Sequence, residues 1–324
     1  MRSAIAWPGL VPLLLSCACL ALFRGSGEAQ CARASLSTAA ASAATNIRVS
    51  SDLVLIPVIV LDRRDGLVSG LEKEHFKLYE DKVEQAITHF GSEDAPVSVG
   101  FIFDASGSMR DKLSKSREAV TRFLKTANPD DEFFLVQFND RAELVMGMTK
   151  EIEEIQNRLM WIEPHGRTAL LDAIYFSLMQ IRQAHNPRKA LIIISDGGDN
   201  RSRHTMNEVK NLVREADVQI YAMGIMEPAV SRGRTVEELA GPELLSEVAE
   251  QTSGRLFEIE SVNELPDVAS KISFALRHQY VLGYAPANSR HDGKYHKVQV
   301  KLAPPKGLPK LRAYWRHGYY APAE

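Results

Sequence analysis

Hydrophobic and polar positions change their spacing several times along the chain. Residues 4–23 (AIAWPGLVPLLLSCACLALF) are apolar or small throughout, with Arg2 before them and Arg24 after. Residues 32–46 are rich in Ala, Ser and Thr and have no apolar period, which reads as a flexible tether. Residues 47–95 hold short β-type runs. VLIPVIVLD is β-branched but alternates poorly; HFKLYED and EQAITHF follow, and Asp62-Arg63-Arg64-Asp65-Gly66 reads as a turn.

From residue 97 strands and helices alternate. VSVGFIFD, EFFLVQF, KALIIISD, VQIYAMGI and GRLFEIE read as buried-type strands. LSKSREAVTRFLKTA, TALLDAIYFSLMQIRQA, MNEVKNLVREA, LLSEVAEQTSG and a last segment over 263–279 read as helices. Leu170, Leu171, Ile174, Leu178 and Ile181 form a core-facing stripe. Such alternation predicts a mainly parallel sheet covered on both faces. After residue 279 the strands return as QYVLGYAP, YHKVQVKL and LRAYWRHGYY, in which Tyr314, Trp315, Tyr319 and Tyr320 read as strand-pair packing. Three short strands bury too little to fold alone. The expected fold is therefore α/β: a doubly wound, mainly parallel sheet over 96–278, inserted in a small β-sandwich built from flanks 47–95 and 279–324. Two separate small β modules are the alternative.

Composition narrows the function. Hydrophobic residues make up 45% and charged ones 25%, an ordinary globular balance. Lys and Arg total 39 against 41 Asp and Glu, so the basic excess of a general nucleic-acid binder is absent. The cysteines are Cys17, Cys19 and Cys31, which excludes a disulfide scaffold, a cysteine zinc site or a cysteine nucleophile beyond residue 31. No histidine pair forms H-E-x-x-H, and His291 and His296 bracket what reads as a hairpin. The apolar segment at 4–23 fits an export signal, with Gly27-Glu28-Ala29 as the cleavage region, a signal peptide over 1–29 and a tether over 30–46. Ala32-Arg33-Ala34 is a second cleavage option. An uncleaved anchor is the competing reading, since ~20 apolar residues can span a bilayer; Pro8, Pro12 and the small residues favour removal. The expected location is exported: periplasm, cell envelope or extracellular.

The candidate chemistry lies at strand ends. VSVGFIFD runs into Asp104-Ala105-Ser106-Gly107-Ser108, a D-x-S-x-S pattern. Thr168 stands just before a helix, and Asp196 ends the strand LIIIS. Open α/β sheets place ligand sites at the carboxyl ends of strands. Two carboxylates and three hydroxyls form an all-oxygen set that suits a hard divalent cation, Mg²⁺ first, with Mn²⁺ or Ca²⁺ as alternatives. Few charged donors leave the ion much of its charge, so it would attract an external carboxylate. Asp199 and Asn200 add oxygens nearby. Asp104 could alternatively cap the helix that follows. No histidine or lysine is placed by sequence as a base for Ser106, so no catalytic residue is assigned and an enzyme is not expected.

Asp104, Ser106 and Ser108, then Thr168, then Asp196 resemble, in order and spacing, a von Willebrand factor type A domain with a metal-ion-dependent adhesion site. The flanks VLIPVIVLDRRDGLVSGLEKEHFKLYEDKVEQAITHF, LRHQYVLGYAP, KYHKVQVKL and HGYYAP resemble an exported bacterial family related to it. The resemblance implies direct metal binding by Ser106 and Ser108, by Thr168 in some ligand states, and by Asp104 and Asp196 through water. It implies an adhesion-type module that captures the Asp or Glu of a protein partner, with no nucleic acid, and membrane contact only through an uncleaved anchor. An envelope assembly factor using the domain as a docking scaffold is the alternative; a metal-dependent hydrolase would need a base the sequence does not show.

Overall fold

A computed structural model describes residues 53–64, 66–92, 94–226, 236–286, 292–303, 307 and 310–323, with the side chains of 236–239 excepted. The chain divides into two units, Met1–Val49 and Ser50–Glu324, and the described residues all belong to the second. The expected signal peptide and tether lie outside the described residues.

The N-terminal flank gives β1 (Val54–Leu61), β2 (Phe76–Glu80), β3 (Val83–Gln85) and β4 (His89–Gly91). The α/β part follows as β5 (Val97–Asp104), α1 (Leu113–Leu124), β6 (Glu132–Phe138), β7 (Ala142–Thr149), α2 (Ile152–Met160), α3 (Leu170–Gln180) and β8 (Arg188–Ser195). It continues through α4 (Met206–Glu215), β9 (Gln219–Ile225), α5 (Val236–Glu250), β10 (Leu256–Ile259) and α6 (Leu265–Arg277). The C-terminal flank gives β11 (Tyr280–Tyr284), β12 (Tyr295–Leu302), β13 (Arg312–Trp315) and β14 (Gly318–Tyr320).

The central sheet has the order β10-β9-β8-β5-β6-β7, parallel except for the antiparallel pair β6–β7. All eight residues of β5 are buried. Val97, Val99, Phe101 and Phe103 pack with α1 and α6 on one face of the sheet, and Ile102 packs with α3 and α5 on the other. A strand covered on both faces is apolar on both, which is why these runs show no period of two.

The flanks interleave. One antiparallel sheet has the order β13-β1-β11-β4 and the other β14-β12-β2-β3, so each takes strands from both ends of the α/β insertion. Their inner faces share one core, including Ile56, Val58, Leu78, Tyr280, Leu282 and Val300. The weak alternation of β1 has a cause. Ile56, Val58 and Val60 face the sandwich core, while Ile59 and Leu61 face the core under α6.

The structure differs from the sequence reading at four elements. EQAITHF and LRAYWRHGYY each break into two short strands, because the chain crosses from one sheet of the sandwich to the other within them. Strand β7 and helix α2 were not expected. Register shifts opposite Phe133 and Leu135 break the alternation of β7, and α2 buries only Ile155 and Leu159.

A polar cluster joins the β2–β3 turn to the start of β12. His296 Nδ1 lies 2.9 Å from Asp81 Oδ2, and His296 Nε2 lies 3.3 Å from Asp292 Oδ1. Both ring nitrogens face carboxylates, an arrangement that needs both protons. Burial opposes the charge, but the bonds to Asp81 and Asp292 outweigh it and raise the pKa above 6.5. A raised folded-state pKa adds stability that is fully present below the unfolded value and is lost as pH rises through the folded one. The melting temperature should therefore decline as pH is raised above about 6.5. His296→Gln should flatten that decline in melts taken across the pH range.

Candidate metal centre

Three loops meet at the carboxyl ends of β5, β6 and β8. The first follows β5. Asp104 is fully buried, and Ser106 stands in extended backbone before a 3₁₀ turn, Gly107–Met109. Asp104 Oδ1 accepts the Ser106 backbone N–H at 2.8 Å, and Asp104 Oδ2 accepts the Ser195 hydroxyl at 2.5 Å. Both carboxylate oxygens are therefore held by internal donors. That geometry suits an acid that acts on an ion through water. The Ser106 and Ser108 hydroxyl oxygens lie 3.1 Å apart, one on each side of Gly107.

The second loop carries Thr168, which is buried. The Gly107 N–H donates to Gly166 O at 3.1 Å and so joins this loop to the first. Asn200 clamps Thr168 from the third loop: Asn200 Oδ1 accepts Thr168 N–H at 3.0 Å, and Asn200 N–H donates to Thr168 O at 3.0 Å. Asp199 Oδ2 accepts Leu171 N–H at 2.8 Å in the first turn of α3. The sequence reading set Asp199 and Asn200 down as additional oxygens near the ion; in the fold these oxygens hold backbone.

The third loop carries Asp196, whose Oδ2 accepts from Lys112 Nζ at 2.7 Å. The two side chains are only 7% and 9% exposed. Gly197 follows at φ +79°, a conformation that side-chain-bearing residues adopt at a cost. Its backbone lies against Gly241 of α5, where an added Cβ would come within 2.6 Å of Gly197 Cα and 2.2 Å of Gly198 N.

The electrostatics follow from this packing. Burial first, and the facing charge of Asp196 second, push Asp104 up to about 7 against the pull of the Ser195 and Ser106 bonds. A cation between the two acids would reverse both effects. The structure thus gathers Asp104, Ser106, Ser108, Thr168 and Asp196 on three linked loops. Among the described residues no three His, Cys, Asp or Glu side chains converge as a metal cage, so any ion here would rely on hydroxyl donors. The donor chemistry fits a hard divalent cation. Sequence reasoning missed Ser195 and Lys112. The only signals were a serine directly before Asp196 and a lysine just before an amphipathic helix, and both residue types are common at such places.

Gly241→Ala tests the packing under the third loop. Replacing glycine inside a helix usually adds up to about 1 kcal/mol of stability. Here the methyl meets rigid backbone, and overpacking of that kind costs about 1–3 kcal/mol. The clash should win, and thermal melts should show Gly241→Ala unfolding at lower temperature than the wild type.

The family profile described as von Willebrand factor type A domain matches residues 98–271. Inter-alpha-trypsin inhibitor heavy chain 4 of Mus musculus is 28% identical over 146 residues, covering 40% of this chain and 16% of that protein. An uncharacterized protein of Borreliella burgdorferi is 23% identical over 186 residues, 51% of this chain and 54% of that one. The chain thus spans about a sixth of the mouse relative's length. Among solved structures, von Willebrand factor type A from Catenulispora acidiphila aligns at 14% identity and a TM-score of 0.49, covering 85% of this chain and 75% of that one. The matched segment runs from the second residue of β5 into α6 and takes in all three loops of the candidate site, more than half of the 324 residues, and the chain belongs to the von Willebrand factor type A domain family.

Proposed function

We propose that this chain is an exported, non-catalytic protein-binding module that captures an acidic side chain of a partner through a divalent cation, Mg²⁺ in the first instance. The observation that carries the reading is the meeting of three hydroxyl-bearing residues and two carboxylates on three cross-linked loops, two after strands β5 and β8 and one between α2 and α3. Ser106, Ser108 and Thr168 offer neutral oxygens. Asp104, fixed by Ser195 and by the Ser106 N–H, offers charge from a fully buried position, and Asp196 offers it from a nearly buried one beside Lys112. When bound, the cation supplies an open coordination position for an external carboxylate. The protein's part is to hold the donors still. Because hydroxyls predominate, an ion here keeps enough charge to attract that carboxylate.

Export rests on the apolar segment at 4–23 and the small residues around Ala29. Among the described residues, no helix is long and apolar enough to cross a membrane.

Isothermal titration of the protein with Mg²⁺, Mn²⁺ and Ca²⁺ tests the site. Binding is expected for the wild type and should disappear in Asp104→Ala, with the far-ultraviolet circular dichroism of the variant unchanged. Ser106→Ala should weaken binding by about ten- to a hundredfold. Immobilised protein should then retain peptides bearing Asp or Glu in Mg²⁺ and release them in EDTA. Equal ion binding by wild type and a folded Asp104→Ala would overturn the assignment.

A further inference from the structure

Lys112 stands one residue before α1, on the turn that carries Ser106 and Ser108. Its backbone is fixed: Lys112 N–H donates to Met109 O at 2.9 Å, and Lys112 O accepts the Ser116 N–H and the Ser116 hydroxyl, each at 3.0 Å. From this anchored position the side chain runs inward, and Nζ meets Asp196 Oδ2 at 2.7 Å with both side chains more than nine-tenths buried. An ammonium is strongly hydrated, and it enters so dry a place only when paired. The contact therefore links the first loop to the third through charge.

We propose that Lys112 is a tethered counter-cation of this centre: it neutralises Asp196 in the ion-free protein and competes with the incoming divalent cation for that carboxylate. The proposal rests on the metal-site reading above. Its logic is charge and reach. Asp104 and Asp196 are the two acids of the donor set, and the ammonium already occupies one oxygen of Asp196. A dication drawing on Asp196, even through its other oxygen, must share the carboxylate with a like charge or displace the lysine along its four-carbon stem. Either route lowers affinity, and at these separations in a partly dry site the repulsion is large enough to be measured. The same pair holds the third loop against the first while the ion is absent. Lys112 thus trades ion affinity for order in the ion-free protein.

Two variants separate charge from shape. Lys112→Gln keeps length and a hydrogen-bond donor but removes the charge; Lys112→Arg keeps the charge. Titration calorimetry should show Lys112→Gln binding Mg²⁺ at least about tenfold more tightly than wild type, with Lys112→Arg close to wild type. In EDTA, Lys112→Gln should melt below wild type, because Asp196 has lost its partner, and Mg²⁺ should raise its melting temperature by more than it raises that of wild type. If wild type binds Mg²⁺, loses it in Asp104→Ala, and is matched or exceeded by Lys112→Gln in dissociation constant, the counter-cation idea fails and the metal site stands. If neither wild type nor either lysine variant binds Mg²⁺, Mn²⁺ or Ca²⁺, the metal reading fails and takes this inference with it.

Discussion

The organisation of this protein turns on a carboxylate in the wrong medium. Asp104 sits at the end of a strand buried along its whole length and has no exposure to water. Leaving a buried acid without compensation is costly, and a folded chain compensates with donors or cations. Here the donors are the Ser106 N–H and the Ser195 hydroxyl, so the loops after β5 and β8 are fixed by the need to solvate one residue. Ser195 in turn accepts the Gly197 N–H at 3.1 Å, which carries the constraint into the turn behind Asp196. Asn200 carries it on to Thr168. One unfavourable burial thereby ties the loops after β5 and β8 together, and the bonds from Gly107 and Asn200 bring in the loop that carries Thr168.

The outer architecture keeps that sheet rigid at its other end. Asp131, fully buried, accepts the Val97 N–H at 2.9 Å and the Asn128 N–H at 2.7 Å, and it also pairs with Arg277 at the end of α6. The start of β5, the start of β6 and the last helix of the insertion are thus tied together. From there the chain passes directly into β11, which pairs with β1 on the opposite side of the insertion. Further contacts brace the two parts. Arg316 Nη1 donates to Asp217 Oδ1 at 2.7 Å, and Arg255 lies 4.0 Å above the Phe257 ring with Tyr314 beyond it. Because the second half of β1, Val58–Leu61, is buried on both faces, the sandwich and the α/β layers share that stretch of strand as a common wall.

The sequence by itself determined the kind of fold and the five candidate donor residues. Largely apolar, β-branched runs such as VSVGFIFD and LIIIS fit central strands, and strands alternating with amphipathic helices favour a parallel sheet, so α/β layering followed from local pattern. Flanking runs too short to form a core alone implied that they pair with each other. The places of the candidate donors were legible because the carboxyl ends of parallel strands are fixed by where hydrophobic runs stop, and Asp104 and Asp196 stand at those stops.

Tertiary structure alone decided what acts across space. Strand β7 hides because bulges and half-exposure erase its period, and the split of LRAYWRHGYY depends on which sheet each half can reach. The roles of Asp199 and Asn200 as backbone clamps, of Ser195 as the donor to Asp104, and of Lys112 as the partner of Asp196 all join residues 28 or more positions apart. A lysine before a helix reads in sequence as a solvated end; only the 3₁₀ turn and the packing of α1 send it inward. Local pattern sets where the chain is apolar and where it stops. The pairing of buried charges depends on distances that exist only once the layers have closed.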